Sequence, residues 1–98
     1  MNGELKKSLT IINQKFDSLK KDYGVKKIGV FGSFVSGRPR KDSDIDILVE
    51  FSQPVSLFEF IEVEDFLSKA LKRKVDLVTK NALKPAIKKD VLNEVVYV

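Results

Sequence analysis

The sequence contains no cysteine and no histidine among its 98 residues. Without cysteine the chain forms neither a disulfide nor a thiolate metal site, and without histidine a histidine general base and a histidine-ligated zinc ion are excluded. Its apolar runs are also much shorter than a membrane-spanning helix requires, and no signal peptide is visible. These absences predict a cytoplasmic protein that does not contact a membrane.

Positively charged residues are only slightly in excess of negatively charged ones. The formal net charge is +4, which is compatible with nucleotide or nucleic-acid partners but ordinary for a soluble domain. Direct nucleic-acid binding is not expected. Hydrophobic residues make up 43% of the chain and charged residues 33%, which predicts a folded protein. The length predicts a single domain over residues 1–98 with one modest core.

The periodicity of the apolar residues predicts helices that alternate with strands. An apolar stripe with steps of three and four residues predicts a first helix over residues 5–23, for which Gly24 is a typical stop. Ser56 and Glu59 have the spacing of a capping box at the start of a second long helix. Strands are predicted over residues 25–31, 44–51 and 74–79, and a last helix begins near Pro85.

The connections between these elements predict the sheet. A helix joins the second and third strands, and such connections are nearly always right-handed and make the two strands parallel, whereas we expect the first two strands to be antiparallel. The predicted fold is therefore α/β (α+β), a three-stranded mixed sheet flanked by helices. Residues 95–98 are apolar and are compatible with a short strand, a plug in the core or an edge that docks a partner.

Glycine and aspartate mark the two ends of a loop between the first two strands. Gly32-Ser33 ends the first strand, and a glycine there lets backbone N–H groups approach an anion closely. Asp44 and Asp46 open the second strand, and alternate strand residues project from the same face. Carboxylates beside a phosphate-binding turn suit Mg²⁺. A plain strand-ending turn is the alternative interpretation of Gly32-Ser33.

Asp76 is the third candidate carboxylate, and it lies inside an otherwise apolar strand. A charged side chain there is costly unless it is paired. A metal ion shared with the other two aspartates would provide the partner, and a salt bridge to Lys74 or Lys80 is the alternative.

These motifs resemble a known family. Gly-Ser, a second glycine at Gly37 and the Ser-Asp-x-Asp run over residues 43–46 are similar to the nucleotidyltransferases related to DNA polymerase beta. The short chain resembles the minimal, stand-alone branch of that family, the MNT proteins. The resemblance covers most of the chain, because the strand around Asp76 stands where the family has its third element.

The resemblance implies roles for the candidate residues. Asp44, Asp46 and Asp76 would bind metal, with two Mg²⁺ ions in the site. Asp76 would hold the ion that activates the acceptor hydroxyl and is the candidate to take its proton. The Gly32 N–H and the Ser33 hydroxyl would bind the outer phosphates of ATP, the implied substrate. Charge stabilisation by the metal ions is then expected to supply most of the rate.

Small proteins of this kind resemble antitoxins of two-gene systems whose toxin is an HEPN-domain ribonuclease. The resemblance implies that AMP is transferred from ATP to a toxin hydroxyl, with tyrosine as the expected acceptor, and that the toxin is thereby neutralised. Many such proteins have Ala-Arg before the second glycine, whereas this chain has Val35-Ser36, with Arg38 following Gly37. Two alternatives stay open: an antitoxin that covers its toxin without chemistry, and a nucleotide-sensing or regulatory module.

The loop after Gly37 is basic, with Arg38, Arg40 and Lys41. Beside two carboxylates, such a loop would hold a triphosphate or an acidic partner. A solvated loop without a ligand is the alternative.

Overall fold

The computed structural model describes residues 3–37 and 43–98, so the basic residues Arg38, Arg40 and Lys41 lie outside the described part. In chain order the elements are α1 (Gly3–Tyr23), β1 (Val25–Phe31), α2 (Ser33–Ser36), β2 (Ile45–Phe51), α3 (Leu57–Leu71), β3 (Val75–Thr79), a 3-10 turn (Lys80–Ala82), α4 (Pro85–Glu94) and β4 (Val96–Tyr97). None of the helices in the described ranges has both the length and the apolar composition needed to cross a membrane.

The helix ends follow the local signals in the sequence. Gly24 has a φ of +69° directly after α1, and its N–H donates to the Lys20 carbonyl at 3.1 Å. The capping box of α3 is present, because the Ser56 hydroxyl accepts the Glu59 N–H and the Glu59 carboxylate accepts the Ser56 N–H, both at 3.2 Å. These bonds satisfy backbone groups that a helix terminus leaves without partners.

The sheet has four strands in the order β3-β2-β1-β4. As predicted, β1 and β2 are antiparallel and β2 and β3 are parallel. The predicted count of three strands is wrong, because Val96 and Tyr97 pair antiparallel with Val30 and Gly29. The extra strand forms because β1 has a free edge whose backbone groups need partners, and the apolar end of the chain supplies them.

The two faces of the sheet are covered by different helices. Ile45, Ile47 and Val49 point into the main core, which α1 and α3 cover. Leu48 points to the other face and packs in a second cluster with Val91 of α4. Since strand side chains alternate, Asp46 projects from the same face as Leu48. The aspartate therefore shares a face with α4.

Gly29 allows β4 to pack closely against β1. A Cβ atom at this position would lie 2.8 Å from Val95 Cγ2, 2.8 Å from the Val96 carbonyl oxygen and 2.9 Å from Tyr97 Cδ1. Those distances are far below an ordinary carbon contact, so a side chain at Gly29 would displace the last strand.

Candidate active site

Asp46 and Asp76 lie side by side at the start of the two parallel strands. They are direct partners in the register of β2 and β3, so their side chains leave the sheet on the same face. Asp46 is half-buried, whereas Asp76 is exposed to solvent. The pKa of Asp46 is raised from 3.8 to about 6, and burial of the carboxyl is the largest cause. The charge of Asp76 and a side-chain hydrogen bond to Asp76 come next, and the charges of Asp44 and Glu94 add to the effect.

Asp76 is exposed, so the cost of burying a charge does not require it to have a partner. The strand is buried at Val75 and Leu77 but exposed at Asp76, so the carboxylate does not have to leave water. Neither cation offered as an alternative partner pairs with it among residues 3–37 and 43–98, where the ion pairs within 4.0 Å are Arg73–Glu4 and Lys74–Asp44. Asp76 instead faces Asp46.

Asp44 lies one residue before β2 and is held differently. Its carboxylate is 3.9 Å from the Lys74 ammonium, and both side chains are well exposed, at 46% and 81%. A surface ion pair at that distance is weak. The charge of Asp44 nevertheless acts on Asp46, so all three predicted aspartates are found at one end of the sheet.

Arg73, two residues after the end of α3, fixes the chain before Asp44. Its guanidinium donates to the Ser43 carbonyl at 3.0 Å and to Glu4 at 3.4 Å, and it stacks over the Phe34 ring at 4.9 Å. The sequence marks Arg73 only as one of several cations at a helix end. Its position in space shows that it connects α1, α2 and the approach to β2.

Gly32 forms the turn beside the aspartates. Its φ of 76° and ψ of −146° are accessible to glycine and strained for other residues. A Cβ atom there would lie 2.1 Å from the Asp46 carboxylate oxygen Oδ2. The glycine is thus required twice, once by its backbone conformation and once by the carboxylate. Ser33, the other predicted phosphate contact, begins α2 and is exposed.

Glu94, the last residue of α4, is the functional candidate that the sequence did not reveal. Its carboxylate accepts the Gly32 N–H at 2.8 Å across a separation of 62 residues. No local pattern marks this glutamate, because it reaches the turn only through the packing of α4 on the Leu48 face. The N–H that was predicted to bind phosphate therefore donates to a protein carboxylate in this structure.

The donors at this site are carboxylate oxygens, which Mg²⁺ prefers, and the ion usually takes one or two carboxylates together with substrate phosphates and water. Asp46 and Asp76 supply two carboxylates whose repulsion a dication would relieve. Over the described ranges, no three or more Asp, Glu, His or Cys side chains form a group that could hold a metal ion by themselves. Asp46 and Asp76 fit an Mg²⁺ ion whose coordination is completed by a nucleotide.

Comparison with known proteins identifies the family. Residues 12–98 match the family model described as the nucleotidyltransferase domain. The chain is 49% identical over 89 residues to the protein adenylyltransferase MntA of Thermococcus cleftensis, a match that covers 91% of this chain and 90% of that protein.

Two solved structures share the fold. One is a minimal nucleotidyltransferase with a TM-score of 0.77 and 31% identity, and the match covers 92% of each chain. The other is a toxin–antitoxin structure with AMP-PNP, with a TM-score of 0.69 and 27% identity, covering 86% of this chain and 69% of that chain.

Proposed function

The chain belongs to the nucleotidyltransferase domain family, and we propose that it is a cytoplasmic, Mg²⁺-dependent antitoxin that transfers AMP from ATP to a hydroxyl of an HEPN-type toxin. The observation that carries the proposal is the pair of carboxylates, Asp46 and Asp76, beside the Gly32 turn. The protein partner is supported by the likeness to MntA and to a toxin–antitoxin structure. A tyrosine is the acceptor we expect.

The aspartates have distinct roles in this proposal. Asp44 and Asp46 would hold Mg²⁺ together with the phosphates, and Asp76 would share in holding it on the acceptor side. When bound, the metal neutralises charge that develops on the phosphates during transfer. Asp76 is the exposed member of the pair, so an acceptor hydroxyl of a partner can reach it from solvent.

The reaction forms one bond and breaks one. The acceptor oxygen bonds to the α-phosphorus of ATP, the bond from that phosphorus to the bridging oxygen of the β-phosphate breaks, and pyrophosphate leaves. The hydroxyl proton passes to Asp76, whose carboxylate is an acceptor when it is ionised. The remaining protein contribution is the orientation of the two reactants.

The outer phosphates are assigned to the exposed Ser33 hydroxyl. Because the Gly32 N–H donates to Glu94, a phosphate contact at that N–H would require the carboxylate to move away. We therefore assign a steric role to Gly32: because it has no side chain, it leaves room for the Asp46 carboxylate beside the turn. Gly32 and Ser33 then both belong to the nucleotide site, by different means.

A second candidate function is an antitoxin that binds its toxin without transferring AMP. Two observations favour it. Val35-Ser36 stands where many minimal nucleotidyltransferases have Ala-Arg, and Asp44 is paired with Lys74 at 3.9 Å. In that case the partner is neutralised by contact alone, and the aspartates are dispensable.

The experiment that separates the two functions uses ATP labelled at the α-phosphate, Mg²⁺ and the product of the adjacent gene. Transfer predicts label on the partner, loss of label with a chelator, and loss of label with Asp76→Asn. Calorimetry of ATP binding with and without Mg²⁺ tests the metal separately. If wild type incorporates no label into the partner, and Asp76→Asn neutralises the partner as well as wild type does, the binding-only function is correct.

A further inference from the structure

We propose that Glu94 is a positioning residue of the candidate active site. Its carboxylate holds the peptide N–H of Gly32, and the turn that is held in this way forms the wall beside the Asp46 carboxylate. Glu94 acts through Gly32 and does not touch the reacting groups. The inference rests on the proposed function, because the transfer that it supports is the one assigned to the aspartates.

Gly32 is fixed from both sides. On one side its N–H donates to Glu94 Oε1 at 2.8 Å. On the other side its carbonyl accepts the N–H groups of Val35 and Ser36, both at 3.0 Å, and the Ser36 hydroxyl at 3.1 Å. The two peptide groups that flank the Gly32 Cα are thereby held, and with them its φ and ψ. Without Glu94, the bonds on the carbonyl side are those that remain.

The fixed turn limits where the Asp46 carboxylate can lie. Oδ2 of Asp46 is only 2.1 Å from the point where a Gly32 Cβ would be, so the carboxylate rests directly against this backbone. On its other side Asp46 faces Asp76 of the neighbouring strand, to which its side chain is hydrogen-bonded. Since Asp46 lies between the turn and Asp76, a shift of the turn would change the orientation of its carboxylate.

The choice of a carboxylate at position 94 is unfavourable for the local structure. Glu94 is the last residue of α4, where the helix dipole disfavours negative charge, and its charge acts on Asp46 in the same direction as those of Asp76 and Asp44. The Glu94 carboxylate forms a charge-assisted hydrogen bond with the Gly32 N–H, and such a bond is roughly twice as strong as a neutral one. An acid that opposes both the dipole and its neighbours indicates that a firmly held turn matters.

The test compares Glu94→Ala, Glu94→Gln and a control, Asp90→Ala. Asp90 is an exposed acid one turn earlier in α4, so its removal takes away the same charge from the same helix. For each protein we would measure kcat and KM for ATP in AMP transfer, the melting temperature, the hydrogen exchange of the Gly32 amide, and the ¹³C shift of the Asp46 carboxyl.

Loss of a hydrogen bond to a charged group corresponds to roughly tenfold in rate, so Glu94→Ala should lower kcat by about tenfold or more, with KM for ATP within about twofold. Glu94→Gln keeps an acceptor and should stay within about threefold of wild type. Asp90→Ala should match wild type throughout. Gly32 amide exchange should accelerate in Glu94→Ala alone. Both Glu94 variants remove the same charge from the neighbourhood of Asp46, so the Asp46 carboxyl shift should move further in Glu94→Ala than in Glu94→Gln.

Three results would overturn the inference. The first is a kcat of Glu94→Ala equal to that of wild type. The second is tighter ATP binding in both Glu94 variants, which would show that the carboxylate competes with phosphate. The third is a loss of kcat that merely parallels a loss of folded protein. If wild type itself transfers no AMP, the proposed function fails, and the exchange and ¹³C measurements still decide whether Glu94 positions Gly32 and Asp46.

Discussion

Replacing Asp46 with asparagine should stabilise the protein at neutral pH in the absence of metal. The folded state holds this carboxylate half-buried next to Asp76, and the pKa of Asp46 is therefore raised to about 6. A raised carboxyl pKa means that the folded state disfavours the charged form that predominates at pH 7. Asparagine has nearly the same shape, carries no charge and can donate to the Asp76 carboxylate.

The size of the effect follows from the same pKa. A change from 3.8 to about 6 corresponds to about 3 kcal/mol if it is fully expressed. Since Asp46 is only partly buried and water screens its charge, we expect about 1–2 kcal/mol. For a domain of this size that raises the melting temperature by roughly 5–10 °C.

The gain should depend on pH in a defined direction. Below the unfolded pKa near 3.8, Asp46 is neutral in both states and contributes no penalty. Between that value and about 6 the folded state binds more protons than the unfolded state, so wild-type stability falls as pH rises. Asp46→Asn should therefore be clearly more stable than wild type at pH 7 and nearly equal to it at pH 3.5.

Thermal unfolding in chelator at the two pH values tests this expectation. Asp44→Asn is the matched control, because it removes an exposed acid whose ion pair with Lys74 at 3.9 Å is weak, and it should change stability by less than about 0.5 kcal/mol. An unchanged or lower melting temperature of Asp46→Asn at pH 7 would refute the reasoning. So would an equal gain at both pH values.

Asp76→Asn should abolish AMP transfer and leave the metal-free melting temperature unchanged or higher, whereas a lower melting temperature with transfer retained would show that Asp76 is structural. Gly32→Ala should destabilise the protein by roughly 1–3 kcal/mol in urea unfolding, because its φ is 76° and its Cβ would overlap Asp46. Gly37→Ala is its control, with the nearest atom 3.5 Å from the new Cβ, and an equal loss there would contradict the explanation. Ser56→Ala should cost about 1 kcal/mol of stability through the lost cap, with AMP transfer unchanged.

Local signals account for most of what the sequence predicted about the fold. Gly24 and the Ser56 capping box mark helix ends through bonds made within a few residues, and both are confirmed. The parallel pairing of β2 and β3 followed from the handedness of a strand–helix–strand connection, and it is also confirmed. The family resemblance is confirmed by the match over residues 12–98.

Long-range contacts account for what the sequence did not provide. A short strand at residues 95–98 was one of three alternatives, and the choice among them depends on which edge of the sheet is free. Glu94 depends on how α4 packs and has no short-range signature. The exact register that places Asp76 beside Asp46 also could not be read from the spacing. The metal and phosphate roles of the aspartates, Gly32 and Ser33 stay predictions.

The docking of the last residues of the chain against β1 and the Gly32 turn bears on the order of folding. The contacts between β1 and β2, and those of β2, α3 and β3, join elements that follow one another in the chain, whereas the bond from Gly32 to Glu94 closes a separation of 62 residues. Bringing distant residues together carries a loop-closure entropy that local pairing does not. Residues 94–97 should therefore dock after β1, β2 and β3 have paired, and a species with β4 detached would have its aspartates in place and its Gly32 turn held by its local bonds without the bond to Glu94.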